Sequence, residues 1–387
     1  DEKKKSSVFN TKMKIGIDAR LINQTGVGRY IRNLIDNLEK IDKINDYVLF
    51  VCSDDFDYVK SSIVDSKWSI VKADIRWHSI EEQIGFARIL KKENLDLVHF
   101  PYFSVPIFYN RPFVVTIHDL IQLHFSTGRA STLPWPFYAI KYLGYKYVVL
   151  KTSQRARKII AVSKSTRDEI IDHLKVPFDK VEVIYEGVDK QFTINNSQLT
   201  NSTNNESRIT NHEKFFLFVG NVYPHKNAEA LIEAFEKIKE SDVGLVFVGK
   251  EDYFYERLKQ KVKSNKNIQF LDYVSDEELA WLYQNAVATV CPAFMEGFGL
   301  PALEAMANKC LVIASDIPAL HEVCEDSAIY FDPKNPDELS EKMLEVLKNK
   351  NKFGDLIENG FKRSQEFSWR KMSEQTLGIY ESIIESS

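Results

Sequence analysis

The chain has 387 residues, with 51 Lys and Arg against 55 Asp and Glu, and a net charge of −4. This length exceeds one ordinary domain and suits two. The slight negative charge argues against a dedicated nucleic-acid binder, which needs a basic surplus, and leaves only a local basic patch open. Residues 1–12 are polar and lack the apolar stretch of a signal peptide, so we expect a disordered tail. No run of about 18 apolar residues predicts a membrane-spanning helix.

Strand-like runs alternate with helical patterns through the first half of the chain. A helical pattern at 30–41 follows a glycine loop, Gly26-Val27-Gly28. The predicted strands are short runs rich in β-branched and aromatic residues, at 14–18, 47–52, 95–100, 113–117, 158–162 and 181–185. Such alternation predicts a parallel sheet with helices on both faces.

A polar segment at 193–214, crowded with Asn, Ser and Thr, interrupts this pattern, and we expect a mobile surface insert there. The alternation then restarts. Strands are predicted at 215–220, 244–249, 268–271, 288–292, 311–314 and 328–331. Helices are predicted at 228–239, 253–263, 275–285 and 369–384, the third with Ser275 and Glu278 as a capping box. The second half therefore repeats the architecture of the first.

The segment 296–307, EGFGLPALEAMA, carries the clearest chemistry. Its glycines follow a predicted strand, and Pro301 suits the first position of a helix. Backbone N–H groups at such a helix end attract phosphate. Glu296 and Glu304 would repel phosphate, so their expected targets are hydroxyl groups. The alternative is an ordinary turn, with Glu304 on the surface of a helix.

This segment resembles glycosyltransferase family 4, because Glu296 and Glu304 have the spacing of that family's E-x7-E motif. The resemblance covers nearly the whole chain. The other matching segments are Gly26-Val27-Gly28-Arg29-Tyr30, Thr116-Ile117-His118-Asp119-Leu120, Ala161-Val162-Ser163, Gly187-Val188-Asp189 and Gly220-Asn221-Val222-Tyr223-Pro224-His225-Lys226-Asn227.

The resemblance implies a retaining enzyme with the GT-B fold, in which two Rossmann-like domains face each other and a C-terminal helix crosses back. It implies no bound metal and no cofactor. We expect an acceptor domain at 13–192, the insert at 193–214, a nucleotide-sugar domain at 215–366 and the crossing helix at 367–387. Hinges are expected at 187–192 and 367–369.

The resemblance also implies roles for individual residues. Lys226 follows a strand and can reach the donor diphosphate, and His118 contacts the transferred sugar. Many family members have arginine where Asn221 or His225 stands, so the second cation at the diphosphate is open, and His225 supplies it only if protonated. The expected catalytic residues are His118 and Glu296. The expected donor-binding residues are Gly28, His225, Lys226, Val274, Gly297, Phe298, Gly299, Leu300 and Glu304.

Two further segments allow a functional and an ordinary interpretation. Asp55-Phe56-Asp57 has the DxD pattern of metal-dependent transferases, but it lies in a polar connection far from the other motifs, which favours a solvated charge run. The aromatic and basic stretch 133–151 suits a bilayer interface. A core helix with buried aromatics and exposed lysines is the slightly preferred interpretation.

We therefore expect a cytoplasmic enzyme that uses a nucleotide sugar and a glycan or lipid-linked acceptor, with peripheral contact at the inner membrane face left open. The four cysteines lack zinc-ligand spacing and indicate reduced thiols. GDP-mannose is the favoured donor, with UDP-glucose or another UDP-sugar close behind. Front-side attack is the favoured retaining mechanism, and a covalent intermediate stays open. The rival functions are a sugar-nucleotide epimerase and a non-catalytic partner subunit.

Overall fold

The computed structural model describes residues 12–125, 135–188, 210–240, 242–272 and 274–385. Outside these ranges lie residues 1–11 of the predicted tail, residues 193–209 of the polar insert and residues 189–192 of the expected hinge. So does the start of the aromatic and basic stretch, at 133–134. Two parallel sheets, of seven and six strands, organise the described chain.

The first sheet has the order β3-β2-β1-β4-β5-β6-β7, and every pairing in it is parallel. Its strands are β1 (Lys14–Asp18), β2 (Asp46–Val51), β3 (Trp68–Lys72), β4 (Leu97–Phe100), β5 (Phe113–Ile117), β6 (Lys158–Ala161) and β7 (Val181–Val183). Its helices are α1 (Gly26–Ile41), α2 (Phe56–Ser62), α3 (Ala87–Lys92), α4 (Ile121–His124), α5 (Trp135–Arg155) and α6 (Lys164–Leu174). The order reverses between β1 and β4, so ligands are expected beyond the carboxyl ends of these strands.

The second sheet has the order β10-β9-β8-β11-β12-β13 and reverses between β8 and β11. Its strands are β8 (Lys214–Val219), β9 (Val243–Val248), β10 (Ile268–Leu271), β11 (Ala288–Cys291), β12 (Val312–Ser315) and β13 (Ile329–Phe331). Its helices are α7 (Ala228–Glu236), α8 (Tyr253–Lys261), α9 (Asp276–Asn285), α10 (Leu300–Ala307), α11 (Pro318–Cys324), α12 (Pro336–Asn349) and α13 (Gly354–Ser364).

The last helix, α14 (Trp369–Glu385), returns to the first sheet. Its apolar face includes Trp369, Met372 and Tyr380, which join the core that contains β1 and α1. The structure therefore has the GT-B architecture that the resemblance implies: two Rossmann-like domains and a helix that crosses back.

Local predictions differ from the structure in two places beside the expected site. Gly26-Val27-Gly28 is the first turn of α1 and not a loop. Gly28 permits this because a Cβ there would collide with the carbonyl oxygen of Ile22. Pro301 is the second residue of α10, because Gly299 with φ +107° is its N-cap. The capping box of Ser275 and Glu278 on α9 is confirmed.

Candidate active site

Lys226 and Glu296 meet where the second sheet reverses its strand order. Lys226 follows β8 and Glu296 follows β11, two adjacent strands whose carboxyl ends share one edge. Lys226 Nζ lies 2.7 Å from each carboxylate oxygen of Glu296. The loops are held together by Asn227, whose amide donates to the carbonyls of Pro292 and Pro333 at 3.0 and 2.8 Å. A lysine and a carboxylate are thus fixed together at the expected ligand edge.

Glu304 on α10 is buried and already hydrogen-bonded on both oxygens. The Tyr283 hydroxyl donates to Oε2 at 2.9 Å, and the Arg29 guanidinium forms an ion pair with Oε1. Arg29 also lies 3.1 Å from Asp276 at the start of α9. The alternative in which Glu304 is a surface helix residue is therefore wrong.

Sequence reasoning missed these partners of Glu304. Arg29 lies within residues 26–30, a segment that resembles the family, so the sequence already pointed to this part of the chain. Nothing in the sequence distinguished Tyr283, because it occupies an apolar position in the pattern of an ordinary helix. Arg29 belongs to the first domain and Glu304 to the second, so their ion pair crosses the junction between the domains.

Gly297 forms the closest backbone approach at this junction. A Cβ at Gly297 would collide with the carbonyl oxygen of His118, so only glycine fits. The Gly297 carbonyl accepts hydrogen bonds from the hydroxyls of Ser163 at 2.6 Å and Thr166 at 3.0 Å. Both of these residues lie at the start of α6 in the first domain. The glycine segment therefore joins the domains as well as leading into α10.

Other residues of the expected donor set direct their side chains into the protein core. Phe298 is 3% exposed and packs edge-on against Phe367. Val274 and Leu300 are half-buried against the same hydrophobic cluster. Gly28 is required by the packing of α1. At Phe298 and Gly28 only backbone groups are left to reach a donor, whereas the half-buried side chains of Val274 and Leu300 stay partly exposed.

His118, at the end of β5, has acceptors on both ring nitrogens. Nε2 lies 3.0 Å from the carbonyl of Pro101, and Nδ1 lies 3.0 Å from buried Glu186. Burial disfavours the imidazolium, but the hydrogen bond and charge of Glu186 outweigh it, so the pKa of His118 is raised. Glu186 was missed, although it directly precedes the singled-out Gly187.

His225 is half-buried between the rings of Phe125 and Tyr223. Burial, together with the charge of neighbouring Lys226, lowers the pKa of His225 to about 3. The imidazole is therefore neutral near pH 7 while no donor is bound.

The DxD segment adjoins the glycine region more closely than the sequence predicted. Asp55 accepts a hydrogen bond from Asn23, in the loop that leads into α1. Within the described residues, no group of three His, Cys, Asp or Glu side chains has the arrangement of a metal site. None of the four cysteines, all of which lie in the described ranges, forms a disulfide, and three of them are buried.

Helix α5 combines both interpretations of the aromatic and basic stretch. Val149 is buried in the core and Tyr145 packs against it. Ile140, Leu143 and Tyr147 are 70%, 65% and 52% exposed. The preferred core-helix interpretation therefore holds for only part of α5. No helix among the described residues is long and apolar enough to cross a membrane.

Comparisons with known proteins agree with this geometry. The family model described as "Glycosyltransferase Family 4" matches residues 24–192, and the one described as "Glycosyl transferases group 1" matches residues 201–363. The chain is 28% identical to the O-antigen chain mannosyltransferase RfbU of Salmonella typhimurium over 260 residues, which is 66% of each chain. Three further relatives at 25–27% identity are also named mannosyltransferases.

Solved structures share the fold over nearly the whole chain. Sucrose-phosphate synthase from Thermosynechococcus elongatus superposes with a TM-score of 0.77 at 19% identity, covering 97% of this chain and 100% of the other. Anabaena HepE in complex with UDP and glucose gives 0.75 at 17% identity, covering 96% and 100%. At these identities the likeness is evidence for the fold alone.

Proposed function

Because the chain belongs to glycosyltransferase family 4, we propose that it moves mannose from GDP-mannose to a glycan or lipid-linked acceptor with retention of configuration. The product would be a surface polysaccharide or glycolipid. The observation that carries the proposal is the fixed Lys226–Glu296 pair beside Gly297 and His118 at the domain junction. The mannosyltransferase names of several relatives favour mannose as the sugar.

The proposed donor site divides the nucleotide sugar among these groups. Glu304 accepts hydrogen bonds from the ribose hydroxyls, and Glu296 and His118 contact the sugar that is transferred. Lys226 and the amides of the Gly297–Gly299 loop neutralise the diphosphate as the glycosidic carbon–oxygen bond breaks. In front-side attack the acceptor oxygen approaches on the face of the leaving phosphate, which takes up the acceptor proton. Because the new bond forms on the same face from which the phosphate leaves, the configuration is retained without a protein nucleophile.

The reaction is proposed to need no divalent metal, because Lys226 and loop amides can neutralise the departing diphosphate. Dialysis against EDTA should leave the rate unchanged. Loss of activity that Mn²⁺ restores would overturn this point and bring Asp55 and Asp57 back into consideration.

A donor screen tests the central proposal. Ligands that bind the native state raise its melting temperature, so GDP-mannose should raise it more than UDP-glucose, GDP-fucose or UDP-galactose. Mannose transfer to a lipid-linked glycan should then depend on acceptor. A larger shift in melting temperature and faster transfer with UDP-glucose would make UDP-glucose the donor. Conversion of the donor without acceptor would indicate an epimerase.

The anomeric coupling constant of the product, measured by NMR, tests retention.

Peripheral membrane contact is proposed for the exposed apolar side chains of α5. Ile140, Leu143 and Tyr147 alternate along the helix with exposed Lys141 and Lys146, a combination that suits an anionic bilayer surface. Sedimentation with phosphatidylglycerol vesicles should exceed that with phosphatidylcholine vesicles. It should fall in the Ile140→Ser/Leu143→Ser double variant. Equal sedimentation of both proteins would contradict membrane contact through α5.

A further inference from the structure

Arg29 links the two domains through the carboxylate expected to hold the donor. Its guanidinium, on α1 of the first domain, pairs with Glu304 and with Asp276 of the second. The Arg29 side chain is 19% exposed and that of Glu304 is 5% exposed, so the contact is largely shielded from water, whereas Asp276 is 72% exposed. The Glu304 pair is therefore the stronger electrostatic restraint on Arg29.

The E-x7-E carboxylates are thus each matched to a cation. Lys226 of the same domain neutralises Glu296, and Arg29 of the opposite domain neutralises Glu304. A nucleotide diphosphate adds negative charge to this site. Asn221 carries no charge, and His225 is neutral before the donor binds. The charge balance calls for a second cation, and Arg29 is already at the site.

We propose that Arg29 is a donor-binding residue that moves from Glu304 to the nucleotide diphosphate when the ribose hydroxyls take its place on Glu304. This inference rests on the proposed function of the site. In a nucleotide a single methylene separates the ribose from the phosphates. When Arg29 leaves Glu304, which then holds the ribose, the phosphates therefore lie beside it. The planar guanidinium can then hold phosphate oxygens through two parallel hydrogen bonds.

The exchange also explains why this cation belongs to the first domain and not to the domain that binds the donor. Before donor binds, Arg29 keeps the buried Glu304 charge paired, which avoids the cost of an isolated buried carboxylate. After donor binds, the same residue ties the first domain to the phosphates of a ligand held by the second. Arg29 therefore adds affinity for the diphosphate that a nucleoside alone does not gain.

Calorimetric titrations with nucleosides and nucleotides test this directly. Guanosine, GMP and GDP are compared on the full-length wild type and on Arg29→Gln. The affinity ratio of GDP over guanosine should fall about tenfold or more in the variant, since a charge-assisted hydrogen bond is lost only for the phosphates. Arg29→Lys should give an intermediate ratio, because it keeps the charge without the planar fork. Arg370→Gln, which alters an exposed arginine paired with Glu374, should leave the ratio unchanged.

Two results would overturn the proposal. If Arg29→Gln changes the affinities for guanosine and GDP by the same factor, Arg29 only holds the two domains together or supports the structure. An unchanged ratio with unchanged affinities would also remove it from the site. The same series run with uridine, UMP and UDP separates this from the donor assignment. A preference for UDP with the ratio still falling would refute GDP-mannose and leave the role of Arg29 intact.

Discussion

Glu296 and Glu304 belong to one motif but lie in different environments. Glu296 faces Lys226 at the loop edge, whereas Glu304 is buried against Tyr283 and Arg29. A carboxylate whose partner is the diphosphate-binding lysine is placed to respond to charge that develops during bond cleavage. A carboxylate fixed by a tyrosine hydroxyl is placed to bind hydroxyl groups in the ground state. The two glutamates should therefore have separate kinetic signatures.

Replacing Glu304 should weaken donor binding. Glu304→Ala removes the acceptor for the ribose hydroxyls, which should cost about 1–3 kcal/mol of binding free energy. Calorimetry with GDP measures the loss, and Glu341→Ala, at an exposed position on α12, is the control. Wild-type affinity in the Glu304 variant would rule out the ribose role.

Replacing Glu296 should affect turnover more than binding. Glu296→Gln keeps the shape of the side chain but removes the charge beside Lys226, so we expect kcat to fall more than GDP affinity. A steady-state measurement of kcat and KM beside a GDP titration separates the two effects. A parallel fall in both would instead assign Glu296 to nucleotide binding.

The His118–Glu186 pair should make stability depend on pH. The pKa of His118 is raised above its unfolded value of about 6.5, so its contribution is fully present below that pH and is lost as pH rises through the folded pKa. The contribution of His118 to the unfolding free energy, measured as the difference between the wild type and Glu186→Gln, should therefore decline from about pH 6.5 upward. In Glu186→Gln this contribution should be smaller, because the charge that favours the imidazolium is gone. Denaturant titrations from pH 5.5 to 8.5 test this, and parallel curves would contradict the pairing.

At the level of secondary structure, most of the sheet could be predicted from sequence. Buried parallel strands are continuous apolar runs, so β1, β5 and β10 match their predicted bounds and the other predicted strands differ by one or two residues at their ends. β3 (Trp68–Lys72) was missed. It is a short edge strand in which only Trp68 is buried, so it has no apolar run to reveal it.

The contact between the two crossing segments is also an element-level feature. Gly187, just after β7, lies against the backbone of Ser368 and Trp369 at the start of α14. A Cβ at Gly187 would collide with the backbone nitrogen of Trp369. Any larger residue at this position would therefore push the two backbone segments apart. The two chain segments that connect the domains therefore pass in direct contact.

Gly187→Ala should destabilise the protein by about 1–3 kcal/mol, the range found when a packed site is overfilled. Chemical denaturation measures the change. Gly144→Ala is the control, because this exposed glycine of α5 has open space around it, and alanine there should be neutral or slightly stabilising. Equal stability of both variants would show that the crossing segments are loosely packed.

At the level of the whole molecule, the sequence could predict which strand ends carry the site but not how the domains meet. Lys226 and Glu296 follow adjacent strands, so topology alone brings them together. The pairs Arg29–Glu304 and Gly297–His118 depend on the docking of one domain on the other. No local pattern encodes that docking, because it follows from the packing of both domains together with α14.

The last helix should be essential to the first domain. Trp369, Met372, Ile379, Tyr380 and Ile383 are each at most 8% exposed in the core of that domain. Burying five such side chains contributes about 7–15 kcal/mol, comparable with the whole stability of a typical protein, about 5–15 kcal/mol. Loss of α14 would also remove a hydrogen-bond partner of buried His99, because the Nδ1 atom of His99 lies 2.6 Å from the Tyr380 hydroxyl.

A chain ending at Glu366 should therefore be recovered largely unfolded or aggregated, without donor-induced thermal stabilisation. Tyr380→Phe provides a graded comparison, since it keeps the ring and removes only the hydroxyl bonded to His99. It should fold and lose about 1–3 kcal/mol, the cost of one unsatisfied buried polar group. Circular dichroism, melting temperature and transfer activity are measured on all three proteins. A truncated chain with normal melting and normal activity would show that the first domain does not need α14.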